Sequence, residues 1–567
     1  MTDRDRSAPK GPASESESEA RGESASATEM PARSRRPRWY VYGLLAVFVV
    51  ALGVRVASVT LWYPPCDVDI IASVETQTAY PECPDNRFRV WGDVAYSYIQ
   101  GYNLAEGRGF VDSATWRNSG GTTYVASAGD PPIYAVYVAS LFKIGLTSPQ
   151  SHRLINGVIG SLAAVLIAMV GARVGGRRAG LVAGGLAAAY PLLWINDGMM
   201  LSESIYVAVV GVLLLVAYRF ADRPTIPNAA WLGVAVAAAT LTRGEAMLLF
   251  GVLLVPLLLR CRNTGWGRRL VLGAMCGGVG LLLISPWVAY NLGRFRQPVF
   301  LTSQTGAVLS AGSCDVAFYG EALGYYGADC YSDYIAKGYP IDDPRLPGCD
   351  AAAAATIGSF DPTEHKRSDV CWPDPKVLDE SERDKVVNDF ATRYIKEHRR
   401  RLPVVMGARV ARMFDVYNPP HPDEPGGAAE PFGQNVFLNW AVEGRGVWQS
   451  RAGFVMYFVM LPFALAGVII LWRKRVPLAP ILALPAVITV TAALAFGVTR
   501  YRVPVDLVIT LLAGVAIDGL LRRRWPVDPT DDATVLPAAS WRPGSSTGKA
   551  PEGRIPSKRG GSLFRPS

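Results

Sequence analysis

The sequence predicts an all-helical, polytopic membrane protein with about ten transmembrane helices, interfacial helices and a mixed external segment. Three observations lead there. Half of the 567 residues are hydrophobic and only 19% are charged, a balance that suits lipid as well as water. Apolar runs long enough to cross a hydrocarbon core, which takes roughly 20 residues of helix, recur along the chain. Clusters of Lys and Arg punctuate the connections between alternate runs.

The first run, "WYVYGLLAVFVVALGVRVASVTLW" (39–62), follows a polar tail, is too long for the core of a cleavable signal peptide and ends at no small-residue cleavage site. Further spans are expected near 152–172, 179–196, 204–219, 230–245, 247–260, 270–291, 452–472, 477–497 and 500–521. If these alternate, "RSRRPR" (33–38), "ARVGGRRAG" (172–180), "RCRNTGWGRR" (260–269), "WRKR" (472–475) and "RRRW" (522–525) share the cytoplasmic side, and both termini are cytoplasmic. These anchors account for most of the net charge of +9, so the charge does not indicate a nucleic-acid surface.

The expected organisation is a disordered tail (1–38), an N-terminal transmembrane half (39–291) with an external loop (63–151), an extracytoplasmic segment (292–451), C-terminal transmembrane helices (452–525) and a second tail (526–567). Both tails are rich in Ser, Pro, Gly and charge, with little to bury. Cysteine usage agrees with this topology. Of eight cysteines, Cys66 and Cys83 fall in the first external segment and Cys314, Cys330, Cys349 and Cys371 in the second, even numbers where disulfides persist. Local pairing would join 66 to 83, 314 to 330 and 349 to 371, although four cysteines alone allow three connectivities. The spacings lack a zinc pattern and the four histidines do not cluster; a divalent metal requirement stays open.

Candidate functional residues gather at the external ends. In "RVWGDVAYSYIQGYNLAEGRGF", residues 90–106 have a helical period, with Val90, Val94, Tyr98, Gly101 and Ala105 on one stripe and Asp93, Tyr96 and Gln100 on another. This predicts a helix at the outer surface with Asp93 in its first turn, where the dipole favours a negative charge. "GDPPIYAVYVASLF" (129–142) predicts a second surface helix, with Asp130 as cap and Pro131 in the first turn. Glu203 follows Ser202 at the outer start of a span, where capping explains it as well as chemistry does. Arg500 and Arg502 flank Tyr501 in "TRYRVP", at the outer end of the last span and against the positive-inside trend, either as anchors or as anion ligands. Arg243 in "LTRGEA" has a similar position. From Asp384 the chain reads as a water-facing helix, and from Leu402 to Tyr417, with Arg409 and Arg412 among apolar residues, as an interfacial one.

In order and spacing these stretches, together with "GMMLSESIY" (198–206), "SPWVAYNLGRF" (285–295) and "TRYRVPVDLVITLLAG" (499–514), resemble the polyprenyl-phosphate-sugar-dependent glycosyltransferases of the GT-C superfamily. The likeness is to the bacterial family 39-like branch, related to protein O-mannosyltransferases and lipid A aminoarabinose transferases. It implies transfer of a hexose or pentose from a polyprenyl-phosphate donor to a hydroxyl of an envelope glycan, lipid or protein, at the outer face of the plasma membrane and with inversion. Asp93 matches the acidic residue of the first external loop that acts in catalysis in that family, and is expected to serve as general base, with Glu203 as a second catalytic acid. Trp91 and Tyr96 are placed to stack on the sugar. Arg243, Arg500, Tyr501 and Arg502 are expected to hold the donor's phosphate. Tyr290 departs from the pattern, standing where relatives often carry Arg, and Asp130 stands where some carry His or a small residue. Two other classes stay open: a transporter or flippase of lipid-linked sugars, and a non-catalytic scaffold. Transporters carry charges near mid-membrane, whereas here the ionisable residues collect at the external edge.

Overall fold

A computed structural model of the chain describes residues 38–62, 70–76, 92–261, 264–320, 322–327, 330, 378–417 and 447–526. Among these residues the regular elements are helices, with one isolated antiparallel bridge between Val111 and Ala126. Six helices are long and apolar enough to cross a membrane: Arg38–Leu61, Pro149–Gly175, Glu203–Asp222, Trp266–Leu292, Arg451–Arg473 and Thr499–Arg524. A seventh candidate is the pair Arg177–Ala189 and Pro191–Gly198, bent by 51° where they meet. Pro191 causes that bend, because it has no N–H to bond back and its ring obstructs the preceding turn.

Each of the ten expected spans has a helical counterpart, but three fall short of a continuous crossing. Ile226–Thr242 and Ala479–Leu494 are shorter apolar helices. The span expected at 247–260 is broken into a 3₁₀ turn, Gly244–Leu248, and two short helices, Leu249–Val252 and Leu254–Arg260. Pro256 cannot donate to the carbonyl of Val252, which is where a continuous helix would need the bond.

The Thr499–Arg524 span is central, with 83% of its apolar window buried, against 28% for Arg38–Leu61, Trp266–Leu292 and Arg451–Arg473. Val49, Leu282 and Leu465 on those three are exposed and form the surface that meets lipid. Where helices meet inside, small residues let them close up. A Cβ on Gly180 would run into the backbone of Ala168 and Ala172 on the Pro149–Gly175 helix, so only glycine permits that approach.

Outside the spans, the two expected surface helices are present as Gly92–Ala105 and Pro132–Lys143 and pack together, Tyr98 meeting Phe142 at 5.0 Å between ring centroids. The water-facing helix is Glu380–Glu397, opened by a capping box in which Asp379 accepts from the Glu382 N–H at 3.0 Å and Glu382 accepts from the Asp379 N–H at 3.2 Å. The helix Leu402–Met413 turns its two arginines inward and leaves Val404 exposed. Arg409 donates to the carbonyls of Ala493 and Leu494 at 3.1 and 2.9 Å, and Arg412 donates to that of Leu323 at 2.6 Å. The last carbonyls of the Ala479–Leu494 helix lack intrahelical partners, and the buried Arg409 satisfies them. Cys314 and Cys330 form a disulfide, the local pair expected. Cys66, Cys83, Cys349 and Cys371 lie outside the described residues.

Candidate active site

Three helix ends converge on one cavity of about 1380 Å³. A site for one small ligand usually occupies roughly 300–1,000 Å³, so this one has room for two reactants. Gly92 enters the first surface helix with φ +56°, a left-handed conformation that glycine adopts without strain, and the next residue, Asp93, is left in the first turn with its side chain 64% exposed. Arg243 follows the last residue of the Ile226–Thr242 helix in an extended conformation, held there by the turn into Gly244–Leu248. Arg500 lies in the 3₁₀ turn Thr499–Arg502 that leads into the final helix, where Pro504 sits in the first turn.

These side chains form one network. Arg500 Nη2 donates to Asp93 Oδ2 at 2.6 Å, and its Nε meets Glu203 Oε1 at 3.1 Å. Arg243 Nη1 donates to the same Glu203 oxygen at 2.9 Å, while its Nε donates to Glu245 Oε1 at 2.6 Å. The ring of Tyr501 lies beneath both guanidiniums, 5.1 Å from Arg243 and 5.3 Å from Arg500, a cation–π arrangement that keeps the two like charges apart and aimed at the cavity. Asp130 also opens onto the cavity and makes no hydrogen bond or ion pair among the described residues. The enclosing walls strip bulk water from its carboxyl and the charge of Asp93 adds to the effect, raising it to about 6 against the opposing pull of Arg243 and Arg500.

Tyr96 lines the cavity too, with its hydroxyl 2.5 Å from Ser127 Oγ. Ser127 in turn donates to Glu380 Oε1 at 3.1 Å, and the Ala128 N–H donates to Glu380 Oε2 at 2.8 Å. Burial raises the Glu380 carboxyl to about 7, with the Asp112 charge contributing. Through these bonds the second external segment closes against the first, and together they wall the cavity.

The structure therefore brings together Asp93, Tyr96, Glu203, Arg243, Arg500 and Tyr501. Trp91 lies outside the described residues. Two of the candidates are more deeply placed than the rest. Arg502 does not line the cavity: its side chain is 0% exposed, paired with Asp415 at 2.7 Å and Asp506 at 2.9 Å, and lies 3.8 Å from the Tyr457 ring centroid. In a helical stretch, neighbours two positions apart point to different sides, so Arg500 and Arg502 cannot both face one ligand. Glu203, a catalytic candidate that capping explained equally well, lines the cavity but is 2% exposed and paired with two arginines.

Asp130, expected to cap a helix, does not do so. Asp112 caps the helix Ser113–Asn118 through the Thr115 N–H at 2.6 Å, whereas the Pro132–Lys143 helix has no side-chain cap, leaving Asp130 free of that duty. Tyr290 lies under the Arg294 guanidinium at 4.3 Å and is not part of the cavity wall. Glu245 and Glu380 escaped the sequence reading. The "RGE" spacing was a usable signal for Glu245, while nothing local marked Glu380.

Among known proteins, residues 129–290 match the family model described as dolichyl-phosphate-mannose-protein mannosyltransferase. The matched stretch contains Asp130, Glu203 and Arg243 but neither Asp93 nor Arg500. The matched stretch is less than a third of the chain, which is similar to that family there.

Solved structures similar to the chain include the archaeal oligosaccharyltransferase AglB from Archaeoglobus fulgidus, in complex with an inhibitory peptide and a dolichol-phosphate. It is 14% identical with a TM-score of 0.42, over 86% of this chain and 52% of that one. Another is ArnT from Cupriavidus metallidurans bound to undecaprenyl phosphate, 16% identical with a TM-score of 0.32, over 87% of this chain and 81% of that one. The chain thus spans about half the length of the oligosaccharyltransferase. No curated protein matches it.

Proposed function

We propose that the protein transfers a sugar from a polyprenyl-phosphate donor to an acceptor hydroxyl at the extracytoplasmic face of the plasma membrane, with inversion. The observation that carries this reading is the meeting of an exposed carboxylate, Asp93, with two aimed guanidiniums, Arg243 and Arg500, in a cavity where membrane-crossing helices end. A lipid-linked sugar must keep its isoprenoid in the bilayer while its anomeric carbon reaches water. A site at the helix ends serves both needs.

The chemistry follows from the residues. The acceptor oxygen attacks the anomeric carbon from the face opposite the phosphate and gives its proton to Asp93. The carbon–oxygen bond to phosphate breaks, and its electron pair leaves on the lipid phosphate. Arg243 and Arg500 stabilise that growing negative charge, as groups fixed before the reaction do best. Among the described residues no three His, Cys, Asp or Glu side chains gather as a metal site, and the steps above use none. The placement of charge at one edge of the spans favours this reading over a transporter of lipid-linked sugars.

The test is incubation of purified protein with radiolabelled polyprenyl-phosphate sugars and a membrane extract. Asp93→Asn keeps the shape but takes no proton at neutral pH, and transfer should fall by about 100-fold or more with the fold intact. Undiminished transfer by Asp93→Asn would defeat the assignment and move the base to Asp130.

A further inference from the structure

The Arg500 guanidinium has two ligands of opposite kind. Its Nε edge meets Glu203, whose side chain is 2% exposed and which Arg243 also grips. Its Nη2 donates to Asp93, whose side chain is 64% exposed. One contact is walled in and fixed; the other faces open cavity and can exchange. Five carboxylates, Asp93, Asp130, Glu203, Glu245 and Asp384, line the same space as four cations, Arg117, Arg243, Lys385 and Arg500, so no excess of positive charge awaits an anion. A phosphate that takes the Nη2 edge of Arg500 displaces the carboxylate held there, and that carboxylate is the exposed one.

We infer that the donor's phosphate takes the place of Asp93 on Arg500, so that arrival of the donor seats the leaving group and frees the base in one exchange. This rests on the cavity being the site of a lipid-phosphate-dependent transferase. No covalent bond changes in the exchange: Arg500 stays cationic, Asp93 stays a carboxylate, and the phosphodiester gains the guanidinium that Asp93 gives up. Before the exchange Asp93 Oδ2 is engaged by the Arg500 N–H, and afterwards both carboxylate oxygens are open to the acceptor. Arg500 turns on its Nε contact to Glu203, which keeps the guanidinium aimed while its outer ligand changes. Donor binding therefore precedes acceptor activation.

Linkage makes this measurable without turnover. If phosphate and Asp93 compete for one guanidinium, removing the Asp93 charge must tighten phosphate binding. The assay is binding of undecaprenyl phosphate to the purified full chain in detergent micelles, with undecaprenol as the control for the lipid tail. Asp93→Asn should bind undecaprenyl phosphate about tenfold more tightly than wild type, and Arg500→Gln about tenfold more weakly. In the double variant the tightening should vanish, because the contested group is gone.

Unchanged or weaker binding by Asp93→Asn overturns the exchange. So does equal tightening in the Arg500→Gln background, which simple repulsion between Asp93 and phosphate would give. Equal binding of undecaprenol and undecaprenyl phosphate by wild type overturns the exchange together with the donor reading. A tight-binding Asp93→Asn variant that still transfers sugar would instead remove Asp93 as base and leave the exchange standing. Melting transitions close to wild type for each variant guard against loss of fold, and Arg500→Lys, which keeps the charge but loses the second edge, should bind between wild type and Arg500→Gln.

Discussion

Replacing Glu203 by Gln separates a residue that positions charges from one that moves protons. Glu203 Oε1 accepts from Arg243 at 2.9 Å and forms an ion pair with Arg500 Nε at 3.1 Å, with its own side chain 2% exposed and both arginines 15% exposed. Hydrogen bonds to a charged group are worth about 1.5–3 kcal/mol and neutral ones about 0.5–1.5 kcal/mol, so neutralising this acceptor costs about 1–1.5 kcal/mol at the Arg243 bond, with the Arg500 ion pair lost besides. The amide nitrogen of Gln also points a donor at two donors. Asp93→Asn, by contrast, breaks a pair whose carboxylate is 64% exposed, worth no more than about 1 kcal/mol. Glu203→Gln should therefore be the less stable variant and Asp93→Asn the less active one. Thermal melting in detergent reads the first difference, and donor kcat and KM read the second, with Glu203→Gln raising KM more than it lowers kcat. A Glu203→Gln protein that melts like wild type but loses about 100-fold or more in kcat would refute the positioning role and return Glu203 to proton transfer.

Arg502→Ala should leave the buried carboxylates of Asp415 and Asp506 uncompensated, cost about 3–5 kcal/mol and fail to accumulate, whereas Arg500→Ala should accumulate and lose donor use; membrane yield and melting distinguish them. Glu380 carries a pH dependence whose sign is fixed. Its carboxyl is raised from 4.5 to about 7 in the fold, so the unfolded chain ionises first and native stability falls as pH rises from about 4.5 to about 7. Melting temperatures across that range should slope downward for wild type and flatten for Glu380→Gln.

What the sequence revealed, and what it withheld, divides along the reach of local rules. Apolar runs with basic punctuation fixed the positions of the spans, because insertion into lipid is decided segment by segment. Prolines were the weak point. Pro191 and Pro256 turn two apolar runs into bent or broken helices, and apolarity alone does not register them. The first-turn position of Asp93 was legible from a 3.6-residue stripe. That Arg500 rather than Arg502 faces the cavity was not, since both obey the same interfacial pattern and only the partners Asp415 and Asp506 tell them apart. Glu203 read as a cap because first-turn acids usually are one; its true neighbours lie 40 and 297 residues away along the chain, at Arg243 and Arg500. Glu380 reaches Ser127 across 253 residues, a contact no local signal carries.

The separation between Asp93 and Arg500, 407 residues, also sets a clock. At about 5–20 residues per second, a ribosome takes roughly 20–80 s to deliver the arginine after the aspartate has emerged. Glu203 waits far less for its first cation, since Arg243 follows 40 residues later. The growing chain thus pairs its buried carboxylate early and its exposed one last. A chain halted before the final span carries Asp93, Glu203 and Arg243 but not Arg500, so the paired guanidiniums of the cavity are assembled only when that span is made.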